Sequence, residues 1–323
     1  MTNFQVYKKV LSFSLLQFVV DLTVLILIAG LAVGGFFIFD NTASSKAIIG
    51  MIVGLVIGII IAVVVSYLVS NRIKAAQIAM MTKGVTEGEL PENTFKEGFN
   101  ELKGRFAKIT LLFVVMNAIK GIFRQIGRGI SNIGQAVGGD VGGGIGSAID
   151  SAIQTLIGYL CDCCLGWVLF RKDENSAKAA CEGAVIFFKH GKTLIRNVGR
   201  IFGMGFLSLL LIGGAFFGAS YAIFNATPAL NPLVKEIADA ITNSGSEVPA
   251  FFQTSTGVII IVSALIGLIM WSILHSVLIR PFILTGVLRN FMEAGKEHLP
   301  TEADFKELDA KYPRFAKLHN KTI

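Results

Sequence analysis

Four long runs of the chain are apolar and lack lysine, arginine, aspartate and glutamate. They cover residues 22–39, 47–71, 201–234 and 248–279, and the first extends backwards through Asp21 to residue 11. A helix needs about 20 apolar residues to cross the hydrocarbon core of a bilayer, so each run predicts a transmembrane helix. Only the short segment DNTASSK joins the first two runs, and residues 11–39 and 47–69 therefore predict a helical hairpin.

Two further apolar stretches are harder to place. Residues 106–119 are short for a span, and residues 151–170 carry Asp162 near the middle. If both cross, the chain has six spans; if neither crosses, it has four spans and an interfacial helical layer. We predict an all-α integral membrane protein with four transmembrane helices plus two short, re-entrant or interfacial helical elements, with six spans as the alternative.

The same pattern divides the chain into six segments. They are an N-terminal transmembrane hairpin (1–70), a cytoplasmic connector (71–105), glycine-rich and short hydrophobic segments (106–170), a basic amphipathic segment (171–200), a C-terminal transmembrane pair with an outer loop at 226–255 (201–288), and a cytoplasmic polar tail (289–323). In the tail, Thr301 followed by Asp304 predicts a helix N-cap, and Pro313 predicts the end of that helix.

The composition supports a membrane protein. Mean hydropathy is +0.66, with 53% hydrophobic and 16% charged residues, which does not suit a water-soluble surface. Segments 1–10, 71–108, 171–200 and 280–323 together carry 24 lysines and arginines, whereas segments 40–46 and 226–255 carry 2. Basic residues concentrate on the cytoplasmic side of a membrane, so both termini are expected in the cytoplasm, in a cytoplasmic (inner) membrane.

The formal net charge of +7 follows mainly from this topology. The basic residues lie at membrane ends among acidic ones and form no stripe with stacking aromatic residues, so nucleic acid is not an expected partner. The expected partners are the lipid bilayer, anionic lipid headgroups and a second copy of the chain.

Glycine is abundant, at 35 residues, and several glycines recur at a spacing of four. Such spacing places them on one helix face, where another helix can approach closely. The predicted packing positions are Gly50, Gly54, Gly58, Gly134, Gly138, Gly142, Gly146, Gly214 and Gly218. For 134–146 a flexible loop is the alternative, because each glycine within a helix costs roughly 1 kcal/mol relative to alanine.

Three polar residues could lie within the membrane. Asp21 is an interfacial acid if its span begins at residue 22 and a central one if the span begins earlier, and Asp162 has the same ambiguity. His275 follows Trp271 by one helical turn near the end of the last run, where packing at the interface is commoner than proton transfer.

Catalytic and metal-binding motifs are absent from the sequence. The cluster of Cys161, Cys163 and Cys164 lacks the paired C-x-x-C motifs of common zinc sites, and no histidine follows at ligand spacing. Packing or palmitoylation of these cysteines is the more natural expectation. We therefore predict no metal, no cofactor and no enzymatic activity.

Residues 177–197 place apolar side chains at helical spacing against basic ones. This is the pattern of a helix on an anionic leaflet, although a helix packed on its own protein has the same pattern. The predicted headgroup contacts are Lys178, Lys189, Lys192, Arg196 and Arg200.

Three motifs, KAAQIAMMTKGVTEGELPE, LIRNVGR and LIRPFILTGVLRNFMEA, occur in an order that resembles a group of prokaryotic multi-pass membrane proteins without established function. Residues 160–300 are also similar to the C-terminal half of choline transporter-like proteins, which have a cysteine cluster, a basic run and a last span ending in polar sequence. Neither resemblance implies particular binding residues.

Three functions remain open at this point. The first is a non-catalytic membrane component that is oligomeric or binds a partner through glycine-zipper packing. The second is a carrier or channel for a small polar or zwitterionic solute, using Asp21, Asp162 or His275. The third is binding or remodelling of lipid at the membrane surface.

Overall fold

A computed structural model describes residues 1–40, 44–106, 114–125, 143–195, 198–228, 231–243 and 249–320. These residues form helices and connecting turns, and no strand occurs among them. In chain order the α-helices are α1 (Asn3–Lys9), α2 (Leu11–Asp40), α3 (Ser44–Val65), α4 (Asn71–Thr86), α5 (Thr94–Arg105), α6 (114–125), α7 (Gly143–Phe170), α8 (Ser176–Ile195), α9 (Val198–Ser208), α10 (Gly214–Ala226), α11 (Asn231–Asn243), α12 (Ser255–Leu274), α13 (Arg280–Glu297), α14 (Glu302–Lys311) and α15 (Pro313–His319).

Four of the described helical stretches are long and apolar enough to cross a membrane. They are Leu11–Ile38, Ile49–Thr86, Ile201–Ala226 and Ser255–Glu297. The predicted all-α membrane protein with four spanning helices is therefore confirmed. Short π-helical turns interrupt three of these stretches, at Ser66–Ser70, Leu209–Gly213 and His275–Ile279.

The third span ends earlier than its uncharged run. Helix α10 stops at Ala226, and Pro228 follows two residues later. Proline disfavours helical backbone at the residue before it, which explains the break. Beyond it, α11 is a separate amphipathic helix whose Val234 and Ala238 pack against α12.

The chain divides into two compact units, Met1–Val198 with Pro281–Ile323, and Gly199–Arg280. The first unit contains α1–α8 and α13–α15. Its core is centred on α7, because residues 159–169 are all buried. A helix buried on every side lies in a protein core. The apolar stretch containing Asp162 is thus packed among other helices of this unit, and its predicted re-entrant or interfacial position stays a prediction.

The segment predicted as a connector also contributes to this core. Residues 75–82 of α4 are all buried. Gly166 of α7 lies between α4 and α13, since a Cβ atom built on it would be 2.8 Å from both Thr82 Oγ1 and Leu288 Cδ1. A larger side chain at this position would separate the three helices.

The tail packs on the first unit as well. Phe305, Leu308 and Phe315 are buried. The predicted N-cap is confirmed, because Asp304 Oδ2 accepts hydrogen bonds from the backbone amide and hydroxyl of Thr301, both at 2.8 Å. Helix α14 ends at Lys311, and Pro313 begins the next helix, so the predicted stop is also confirmed.

Candidate helix-packing and charged sites

The first glycine series is used inside the chain. Gly54 and Gly58 of α3 face α2, and a Cβ atom on Gly54 would overlap the carbonyl oxygen of Leu31. A Cβ on Gly58 would lie 3.0 Å from Ile28 Cα, and one on Gly35 of α2 would overlap the carbonyl oxygen of Gly50. The two helices of the hairpin therefore approach almost backbone to backbone, as the glycine spacing predicts.

The second unit uses other glycines for its own packing. A Cβ on Gly267 of α12 would lie 2.7 Å from the carbonyl oxygen of Gly213 and 3.3 Å from Phe217 Cβ. By contrast, a Cβ on Gly214 or Gly218 would meet nothing within 4 Å. Among the described residues, nothing therefore packs against these two predicted positions of α10.

The longest glycine series lies largely outside the described residues. Gly134, Gly138 and Gly142 are outside them, whereas Gly146 lies within α7 with undescribed surroundings. The choice between helix and loop at 134–142 thus stays a prediction.

Asp162 forms a largely buried ion pair with Lys74. Lys74 Nζ lies 2.7 Å from Asp162 Oδ1, and the two side chains are 32% and 5% exposed. The lysine comes from α4, just beyond the apolar part of the second span. The pair therefore ties the continuation of that span to the central helix α7.

A second polar cluster surrounds the fully buried Trp167. Its indole Nε1 donates to Glu182 Oε2 at 2.9 Å. Arg171 Nη2 lies 3.7 Å from the other oxygen of Glu182 and 3.2 Å from Glu174. Since buried charges are tolerated when they are paired and hydrogen-bonded, this cluster joins α7 to α8.

The four cysteines are buried thiols. Cys164 Sγ donates to the carbonyl oxygen of Ala180 at 3.3 Å. Burial raises the pKa values of the Cys163 and Cys164 thiols well above the ordinary value, and it raises the pKa of Cys181 to about 12. Within the described part of the chain, no three His, Cys, Asp or Glu residues are grouped so as to hold a metal ion. The thiols are placed for packing.

Asp21 lies well inside α2, beyond the residues of this helix that are buried in the first unit. Phe13 and Ser14 are buried in the first unit, and Gln77 Nε2 donates to Ser14 Oγ at 2.8 Å. From Asp21 to Asp40 the helix rises about 30 Å, the thickness of the hydrocarbon core. Asp21 also accepts a hydrogen bond from Gln17 at 2.7 Å. Its interfacial or central position in the membrane stays a prediction.

His275 lies in the second unit, at the start of the π-helical turn His275–Ile279. Its ring is 5.3 Å from that of Trp271, whose Nε1 donates to Ser208 Oγ at 3.0 Å. Gly205 is adjacent to the imidazole. These contacts describe a packed histidine between the two spans of this unit.

Helix α8 packs its apolar face on its own protein. Ala180, Ala184 and Phe187 are buried, and the Phe187 ring lies 5.4 Å from that of Phe123. Lys178 pairs with Glu174 at 3.1 Å, and Lys189 pairs with Asp304. The apolar face of this part of the segment is thus unavailable to the bilayer. The side chains of Lys192, Arg196 and Arg200 lie outside the described part, so headgroup binding there stays a prediction.

Two buried polar contacts cannot be predicted from the sequence alone. Lys74 pairs with Asp162, and Trp167 donates to Glu182, but in each case the two residues lie on different helices and no spacing links them. Gly30 and Gly34 of α2 form a further small-residue face that is open, since nothing lies within 4 Å of a Cβ at either position. Their spacing of four within the first hydrophobic run is the sequence feature that indicates this face.

Comparison of the chain with protein-family models, curated proteins and solved structures finds no match. A functional proposal therefore depends on the geometry of these sites.

Proposed function

We propose that the protein is a non-catalytic multi-pass component of a cytoplasmic (inner) membrane that self-associates through the open glycine face of α10. Both termini lie in the cytoplasm in this proposal, which the distribution of lysine and arginine supports. The glycine face is formed by Gly214 and Gly218. The observation that carries the proposal is that a Cβ at either position would meet nothing within 4 Å.

Another side of α10 is already occupied within the second unit. Gly213 contacts Gly267, and Ser220 is buried. Small residues four apart on a spanning helix let a second backbone approach closely, and such faces are common in helix association within lipid. The hairpin of the first unit uses Gly54 and Gly58 internally, and its open pair on α2, Gly30 and Gly34, is a second small-residue face of the same kind.

A carrier or channel is the alternative, and the polar groups offer less support for it. Transport would place ionisable residues along a common water-filled path. Instead, Asp21 is hydrogen-bonded to Gln17 on its own helix, and Asp162 is paired with Lys74 among buried helices. Neither aspartate lines any of the three cavities that described residues border.

Cysteine cross-linking in native membranes tests self-association. Gly218→Cys should give a disulfide-linked dimer under mild oxidation, at twice the 34.7 kDa of the chain. The matched control is Ile223→Cys, which is 58% exposed on the same helix and lies about 140° around it from Gly218. The native cysteines are buried and should contribute little background.

A dimer from Gly218→Cys and none from Ile223→Cys supports the proposal. Equal cross-linking of both variants would indicate random collision, and a monomer from both would overturn self-association through this face. The unmodified protein, solubilised in detergent, should likewise have a mass greater than that of one chain.

A further inference from the structure

Two basic stretches that are far apart in the sequence meet in the first unit. Residues 102–139 and residues 310–323 each contain several lysines and arginines and no aspartate or glutamate. Helix α6 belongs to the first stretch and α15 to the second. They are in contact, because the backbone amide of Arg314 donates to Gln125 Oε1 at 3.0 Å.

The two helices border a groove of about 250 Å³. Its polar lining comes from Asn117, Arg314 and Lys317, and its apolar lining includes Val114. A Cβ on Gly121 would lie 3.4 Å from Arg314 Nη1, so the absence of a side chain there lets the guanidinium lie across α6.

The two helices that border the groove carry four exposed basic residues, of which Arg314 and Lys317 line it. Lys120 and Arg124 are exposed on α6, and Arg314 and Lys317 are exposed on α15. Neither helix contains a carboxylate. Within the described ranges none of these four side chains forms an ion pair, whereas Lys311, just before α15, pairs with Glu307 at 2.7 Å.

We propose that this groove binds the phosphate of an anionic phospholipid headgroup. Arginine and lysine are well suited to phosphate, with arginine able to bind two oxygens at once. Val114 is 62% exposed at the groove and gives it an apolar edge that suits the glycerol and upper acyl region of a lipid. Because the chain has membrane-spanning helices, lipid headgroups are present around it at a high local concentration. A free anion in solution has no comparable local concentration at the groove.

This site differs from the one expected on α8. On α8, Lys178 and Lys189 are paired with carboxylates and the apolar face is covered. The basic side chains of the groove form no ion pair with the described residues and are accessible to an anionic ligand. The inference does not depend on self-association through α10.

The test is native mass spectrometry of the full chain in detergent, titrated with phosphatidylglycerol. The variant Arg314→Gln/Lys317→Gln should weaken binding about 30-fold, since each basic residue near an anionic lipid surface contributes roughly fivefold. The hydrogen bond from the backbone amide of residue 314 to Gln125 does not involve the substituted side chains and should be retained in this variant. The matched control is Lys96→Gln/Lys103→Gln on α5, which removes the same charge elsewhere and should bind like the unmodified protein.

Phosphatidylcholine, inorganic phosphate and a short single-stranded oligonucleotide complete the experiment. Selective, Arg314- and Lys317-dependent binding of phosphatidylglycerol supports the inference. Equal binding of phosphatidylcholine, equal loss in the α5 control, or tighter binding of the oligonucleotide through the same two residues would overturn it. Inorganic phosphate that competes at the concentration of the lipid would also overturn it, because the lipid portion would then contribute nothing. A thermal unfolding curve of each variant confirms that the fold is retained.

Discussion

Gly54 of α3 lies directly against the carbonyl oxygen of Leu31 on α2. No side chain larger than hydrogen fits between them, so this contact fixes how closely the two helices of the hairpin approach. In lipid, where no hydrophobic effect drives helices together, such close packing is a main source of association energy.

Replacing Gly54 should therefore disrupt the hairpin. We expect Gly54→Leu to lower stability by about 3 kcal/mol or more, at the upper end of overpacking penalties, because the leucine would meet backbone rather than movable side chains. Gly34→Leu on α2 is the control, since nothing lies within 4 Å of a Cβ there. The measurement is thermal unfolding in detergent, and equal effects of the two substitutions would show that the contact between Gly54 and Leu31 does not limit the packing.

The ion pair of Lys74 and Asp162 gives a second prediction. Lys74→Met leaves a buried carboxylate without this partner, and we expect it to lower the free energy of unfolding by about 2 kcal/mol. Breaking a fully buried pair costs roughly 3–5 kcal/mol, and the smaller value applies here because the lysine side chain is 32% exposed. The double variant Lys74→Met/Asp162→Leu should recover most of the loss. Denaturant or thermal unfolding measures both, and a double variant less stable than the single one would contradict the prediction.

The thiols should be protected by burial. With a pKa of about 12, Cys181 is almost entirely protonated at pH 8 and should react slowly with iodoacetamide until the protein unfolds. Its folded pKa lies above the ordinary 9.0, so the unfolded state loses this proton first and stability should fall as pH rises from about 9 towards 12. Mass spectrometry of alkylated protein, with and without denaturant, measures the protection; rapid labelling of the folded chain would refute it.

The topology predicts opposite accessibility for two exposed lysines. In intact cells a membrane-impermeant maleimide should label Lys235→Cys, in α11, and should label Lys306→Cys, in α14, only after permeabilisation. The native cysteines are buried and set a low background. The reverse pattern would invert the orientation proposed for the whole chain.

The sequence by itself determined the class and the spans of this protein. Long apolar runs without charge form helices that cross lipid, because backbone hydrogen bonds must be satisfied within the helix there. The glycine spacing at residues 50–58 determined a close-packing face, because small residues four apart let a second helix approach closely. Local signals also sufficed for the Thr301 cap and for the stop before Pro313.

Only the tertiary structure decided which apolar surfaces meet protein. Residues 159–169 and the apolar face of α8 have the composition of membrane-associated segments, yet they are buried among other helices. Lys74 meets Asp162, and Gly267 rather than Gly214 packs between the last two spans, through contacts remote in sequence. Hydrophobicity measures the tendency to leave water and carries no information on whether the surface that replaces it is lipid or another helix, which is why these choices required the fold.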